Sequence, residues 1–239
     1  MKNAFLILTV SIFIVGCSTP RMMMDRDYQE RPKLETSLFR GDQDFISEDA
    51  VQKILYSKIQ IPPKAKVAIF KYEGNEEERL ALTYYGYNYW RSENYIKLQQ
   101  QLIDTLQSQL VSSGRVIEAT LLPSILVPKQ PTVTTLRQAG VRLQADLILV
   151  FRITSDVYYD YQLFTKDKIK AYSTCEVVLF DTRTGIIPFT SVASRDIITL
   201  RLDSEVDRDE AMKRAQKEAS LSSITTIGKE LTDFLKKSP

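Results

Sequence analysis

The amino-acid sequence predicts an α+β fold, a single mixed sheet with helices packed on one face. Three observations predict it. Helical and strand patterns alternate through the first half, and three strand patterns in succession then lead into a final helix. Leu98, Leu102, Leu106 and Leu110 recur every fourth residue, with Ile103 beside them, which marks one amphipathic helix. Ala145–Ile153 is apolar on both faces of an extended chain, which marks a central strand. With 239 residues, 44% hydrophobic and 26% charged, the composition is that of a globular protein. The roughly 195 residues after the N-terminal segments suit one domain.

The elements follow in order. Ser47 caps a first helix, with Glu48 and Asp49 at its positive end and Val51, Ile54 and Leu55 at helical spacing. Pro62 and Pro63 end that segment, and Lys66–Tyr72 reads as a strand. Residues 73–93 are polar and aromatic and fit neither period. The leucine-rich helix spans Glu93–Ser113, and Gly114 stands where a left-handed cap belongs. Arg115–Ala119 is a strand, and Leu121–Thr132, with its three prolines, is a connection. A helix over Thr132–Leu143 turns Leu136, Ala139 and Gly140 inward.

The Ala145–Ile153 strand continues or turns through residues 157–164, and Thr165–Lys168 is a polar hairpin loop. Ile169–Phe180 is a long strand, Asp181–Gly185 a turn, and Ile186–Leu200 the returning strand. Ser204 and Asp207 have capping-box spacing. The last helix is expected from about residue 205 to Leu235, with Ser222–Gly228 as a candidate break.

The N-terminus carries an address. Lys2 precedes the uncharged stretch Ala4–Gly16, which has the length of a signal-peptide apolar region and is too short to span a bilayer. Ile14-Val15-Gly16-Cys17 resembles the bacterial lipobox, with Ile14 where that pattern most often has Leu. The resemblance implies that residues 1–16 are a signal peptide removed before Cys17, and that Cys17 receives the lipid. Ser18, rather than Asp, then implies the outer membrane. Residues 17–45 have no sustained period and read as a lipidated tether, with the domain over residues 46–239. Several acyl chains on one residue make such an anchor effectively permanent.

Composition excludes much chemistry. The chain has no His, so neither a Ser-His-Asp triad nor a His metal ligand exists. Two Cys cannot make a four-thiolate zinc site, and an acylated Cys17 leaves Cys175 without a disulfide partner. Cys175 sits in a strand pattern and reads as a small buried hydrophobe. A net charge of +2 gives no drive toward nucleic acid. Asp203, Glu205, Asp207 and Asp209 invite a calcium reading, but Arg208 and Arg214 stand where a calcium loop needs Gly and Glu. No metal and no cofactor are expected, and no catalytic constellation is found.

The candidate binding residues are aromatic. Tyr84, Tyr85, Tyr87, Tyr89, Trp90 and Tyr95 concentrate five of twelve Tyr and the only Trp. Such rings supply stiff, amphipathic contact area. They either dock a partner protein, stack on glycan or lipid, or cover the domain's own sheet. A second group, Tyr158, Tyr159 and Tyr161, alternates along a strand, so part of it faces inward.

The order Val67–Phe70, leucine-rich helix, Ser113–Glu118, short helix, Gln144-Ala145-Asp146 with its strand, and Asp181-Thr-Arg-Thr-Gly185 resembles a periplasmic superfamily. It includes the N-terminal domain of the Tol translocation protein, the curli-secretion lipoprotein and the lipoprotein activators of penicillin-binding proteins. The resemblance covers residues 65–200 and departs at the aromatic stretch 73–93. It implies an anticodon-binding-domain-like α+β fold and a non-enzymatic envelope lipoprotein that binds another protein. Homo-oligomers are compatible with it. An alternative is a subunit of an outer-membrane secretion channel like the curli lipoprotein.

Overall fold

Strand β3, Leu147–Asp160, runs through the middle of the sheet and shows why the chain folds as it does. In the computed structural model, which describes residues 47–57, 60–72, 93–128, 131–160 and 168–238, the first half of β3 is buried on both faces. Leu147, Leu149 and Phe151 join one core, and Ile148 and Val150 join the other. Beyond Phe151 the strand changes to part-buried polar residues. That change coincides with the end of its neighbour β1, Ala65–Lys71, whose Lys71 pairs with Phe151.

The five described strands stand in the order β2-β1-β3-β4-β5. β2 is Val116–Leu121, β4 Lys168–Asp181 and β5 Phe189–Leu200. β1 is parallel to β2 and β3, whereas β3, β4 and β5 are antiparallel. The sheet is therefore single and mixed, and the α+β class holds.

The helices are α1, Glu48–Tyr56, α2, Glu93–Ser112, α3, Val133–Arg142, and α4, Arg208–Lys237. The two long helices share one face. Leu98, Leu102, Leu106 and Leu110 of α2 meet Ile224, Ile227, Leu231 and Leu235 of α4 in the core over β1, β3 and β4. The shorter α3 differs from the one-face expectation. Its Val133, Leu136 and Ala139 pack with Ala68, Phe70, Ile148 and Phe180 on the opposite face. The physical reason is β3 itself, since a strand apolar on both faces needs cover on both.

Helix α4 runs unbroken through the candidate break at Ser222–Gly228. The small residues there are packing devices. Ala211, Ala215, Ala219 and Ser223 form a buried row at four-residue spacing against the sheet. Gly228 lies against Gln109 of α2 so closely that a Cβ would stand 1.4 Å from the Gln109 Oε1. The start of α4 also corrects the expected cap. Asp207, not Ser204, is the N-cap, and its side chain accepts from the Glu210 N–H at 2.8 Å. The helix cannot start earlier because the Glu205 carboxylate is held by Arg214 and by the Leu202 N–H.

The expected hairpin loop Thr165–Lys168 lies outside the described residues except for Lys168, which begins β4 and pairs with Asp160. Gly114 and Gly185 both take the left-handed backbone expected of them, at φ 73° and 75°.

Leu106 is fully buried where α2 meets α4. Leu106→Ala should therefore cost about 2–5 kcal/mol in urea unfolding. Val192→Ala, at an exposed position, should stay within about 0.5 kcal/mol.

Candidate interaction surface

Two polar clusters first have to be assigned, because both coincide with motifs of the sequence. At one end of the sheet Asp146 joins three elements. Its carboxylate accepts from the Lys66 N–H of β1 at 3.0 Å and from the Arg183 guanidinium at 2.7 Å. In the turn after β4, Asp181 Oδ1 accepts from the Thr184 N–H at 2.7 Å and from its hydroxyl at 2.9 Å. Arg137 of α3 donates to the Thr182 carbonyl at 2.9 Å and also to that of Arg183. The Ala145-Asp146 and Asp181–Gly185 motifs thus lock β1, α3 and the β4–β5 turn together. They are structural.

The second cluster ties β5 to α4. The Glu205 side chain is 5% exposed and accepts from Arg214 Nε at 2.6 Å. Arg214 also donates to the Thr199 hydroxyl at 3.2 Å and the Leu200 carbonyl at 3.0 Å. The hydrogen bond from Arg214 is the first cause that holds the Glu205 carboxyl below its usual range. The acidic stretch Asp203–Asp209 is accounted for by this clasp and by the Asp207 cap. Among the described residues no group of three Cys, Asp or Glu gathers as metal ligands.

What remains is the face of the sheet opposite α4. Among the described elements α3 covers only its β1–β3 half. Over the longer hairpin the rows across β3, β4 and β5 read Asp160-Lys168-Leu200, Tyr158-Lys170-Ile198, Asp156-Tyr172-Asp196, Thr154-Thr174-Ser194 and Arg152-Glu176-Val192. Tyr158 and Tyr172 stack with ring centroids 6.0 Å apart. The Tyr158 hydroxyl lies 3.4 Å from Asp156 Oδ2, and the Thr174 and Ser194 hydroxyls lie 2.8 Å apart. The β5 column of this face is different in kind. Val192 is 66% and Ile198 67% exposed, and Leu200 is exposed beside them.

The sequence-predicted residues divide as follows. Cys17, Tyr84, Tyr85, Tyr87, Tyr89 and Trp90 lie outside the described residues. Tyr95 lies in the first turn of α2, and its side chain lies outside them too. Of the second aromatic group, Tyr158 faces the uncovered side and Tyr159 packs toward α4, under the Arg208 guanidinium at 4.2 Å. Tyr161 lies outside the described residues.

Cys175 is fully buried and unbridged. Burial first, and the neighbouring Glu176 carboxylate second, push its thiol up to about 12. It is the inert hydrophobe that its strand pattern implies. Sequence reasoning did not single out the β5 column within Thr190–Leu200.

No protein-family model and no curated protein matches the chain. Solved structures do. A neuraminyllactose-binding hemagglutinin homolog from Helicobacter pylori is 14% identical, with a TM-score of 0.41, over 75% of this chain and 96% of that one. A dodecamer named PelC from Paraburkholderia phytofirmans is 11% identical, with a TM-score of 0.37, over 74% of this chain and 93% of that one. A minor lipoprotein from Acinetobacter baumannii is 9% identical, with a TM-score of 0.34, over 72% and 92%. The proposed function rests on this chain's own residues.

The clasp makes a pH prediction. A carboxyl whose folded-state pKa is depressed adds stability above its unfolded value, near 4.3, and loses it as pH falls through the folded one. Wild type should therefore be more stable than Glu205→Gln at neutral pH, with the gap closing below about pH 4.3 in a series of urea titrations. Arg214→Ala, which strands the buried carboxylate, should cost about 3 kcal/mol at pH 7.

Proposed function

We propose that the chain is a lipid-anchored protein of the bacterial cell envelope, held on the outer membrane and facing the periplasm. There it acts as a non-enzymatic protein-interaction or adaptor module. The observation that carries the reading is the segment Lys2–Cys17, a basic start, an uncharged stretch of signal length and Gly16-Cys17 at its end. The domain agrees with it. Among the described residues the charged clusters serve packing, as Asp146 and Glu205 show. No helix among those residues is long and apolar enough to cross a membrane, so the anchor in this reading is the lipid. The partner surface in this reading is the aromatic segment Tyr84–Trp90 with Tyr95, and the partner is an envelope protein.

The alternative, in which the β3–β4 hairpin enters a membrane barrel, is disfavoured by its side chains. One face of the hairpin is covered by α4, and the other carries Arg152, Asp156, Lys170 and Glu176. In a barrel one of those faces meets lipid. The charged one is costly there, about 2–4 kcal/mol for each Arg or Lys at mid-depth.

Cys17→Ser should move the protein from the detergent phase to the aqueous phase or leave an uncleaved precursor. Unchanged detergent partition overturns the anchor. Trp90→Ala and Tyr87→Ala should each lower recovery of a crosslinked envelope protein by tenfold or more while shifting the thermal midpoint little. A loss of about 3–5 kcal/mol in stability with unchanged recovery would instead make Trp90 a core residue.

A further inference from the structure

Among the described strands β5 is the outermost, beside β4, and its sequence is nearly symmetric about Arg195. Ser194 and Asp196 flank it as short polar residues. Ala193 and Ile197 are the next pair, apolar and on the α4 side. Val192 and Ile198 follow, β-branched and on the uncovered face, and then Ser191 and Thr199, both hydroxyls. The two most exposed aliphatic residues of the strand are thus equidistant from its centre. A strand with this pattern complements its own reversed copy. We propose that two copies of this chain pair antiparallel through β5, about a two-fold axis at Arg195, so that their sheets join into one.

The geometry meets the requirements of an isologous contact. Opposed residues in an antiparallel pair point to the same face, and a centre at Arg195 sets even-numbered residues against even-numbered ones. Both faces of the joined sheet then stay continuous. Val192 meets Ile198 of the second copy, and by symmetry Ile198 meets Val192, so the same contact occurs twice and both exposed aliphatics are covered. Thr190 meets Leu200. Ser194, whose hydroxyl shares a hydrogen bond with Thr174, meets Asp196, which has acceptor capacity for its proton.

The paired stretch Thr190–Leu200 is about 37 Å long at ~3.4 Å per residue. The β4–β5 register runs without a shift, and β5 has no Pro and no Lys. Bulges, prolines and charged side chains, lysine above all, are the usual devices that blunt an edge, and of these β5 has only the charges of Arg195 and Asp196.

Arg195 sets the strength of the contact. On the axis it faces its own copy, and like charges directly opposed weaken a strand pair. Its guanidinium also donates to the Ser194 carbonyl at 2.8 Å in the single copy. The association is therefore weak at low salt and stronger as salt screens the two guanidiniums. A lone blocking charge would not call for Val192 and Ile198 to be placed symmetrically around it. Anchoring to one membrane raises the effective concentration of copies. That increment rests on the lipid reading, whereas the pairing does not.

Cysteine placement tests the register in the full-length, detergent-solubilised protein, since buried Cys175 does not compete. Opposed residues near an axis have Cα atoms roughly 4.5–5.5 Å apart, within disulfide range. Arg195→Cys should form a disulfide dimer on mild oxidation. Val192→Cys alone should not, because its two copies stand about 20 Å apart along the strand. A mixture of Val192→Cys and Ile198→Cys should crosslink between the two variants.

No dimer from Arg195→Cys with an unchanged circular dichroism spectrum overturns the proposal. So does a Val192→Cys dimer of equal yield. By sedimentation, Arg195→Thr should associate at least tenfold more tightly and lose the salt response. Ile198→Lys should abolish association at an unchanged thermal midpoint, and association that survives it also overturns the proposal. The same crosslinks made on a Cys17→Ser background separate failure of the pairing from failure of the anchor.

Discussion

The fold depends on the burial of the first half of β3 on both faces. A strand that is apolar on two sides cannot sit at the surface of a two-layer protein. It needs a helix above, a helix below and a strand on each side. The chain supplies α2 and α4 on one face, α3 on the other, and β1 and β4 as neighbours. Where β1 ends at Lys71, the strand's own composition changes from Phe151 to Arg152 and Thr154. The lateral extent of one neighbour and the side-chain choice of β3 are matched to within a residue, so neither apolar surface nor strand pairing is wasted.

That constraint explains which polar groups are buried and why. Bringing β1, α3 and the β4–β5 turn to one end of β3 concentrates backbone ends there. Asp146 and Asp181 satisfy them with carboxylate oxygens, and Arg137 satisfies two turn carbonyls. Buried polar groups of this kind cost little only when fully partnered. Glu205 and Arg214 do the same at the other end, where β5 must turn into α4. The acidic stretch that looks like a metal loop is thus explained by chain reversal. An N-cap and an ion pair require the same residue types as a cation site, at different spacing.

Periodicity made much of this legible. The leucine row of α2, the two-faced start of β3, the Asp181–Gly185 turn and the left-handed Gly114 are all local signals, and each element formed where its signal lies. Two features were not local. The break expected at Ser222–Gly228 follows from intrinsic propensity, since Ser, Thr and Gly are poor helix formers. The structure keeps the helix because Ser223 and Gly228 allow α4 to approach β4 and Gln109 closely, a tertiary gain that propensity does not record. The side occupied by α3 also depends on the partner surface, and its own sequence shows only which stripe is apolar. Of the candidate site, the anchor is read from the resemblance of Ile14–Cys17 to the lipobox and the aromatic segment from composition. The β5 column was hidden because a half-buried alternating strand looks the same whether its outer residues face water or another chain.

The uncovered sheet face distributes its polarity unusually. Its β3 and β4 columns carry side chains that answer one another across the strands, as in Arg152 opposite Glu176, Thr174 beside Ser194 and Tyr158 stacked on Tyr172. Such cross-strand pairs stabilise the sheet from within. The β5 column sets the exposed Val192, Ile198 and Leu200 among Thr190, Ser194 and Asp196. A protein that only needed to keep its edge solvated would place charge at the outermost strand and aliphatic residues further in. Here exposed aliphatic residues stand on the outermost described strand beside Asp196, and the single cation of that strand, Arg195, sits at its centre of symmetry. The arrangement is economical if the face is finished by more strands beyond β5 and wasteful if the sheet stops there.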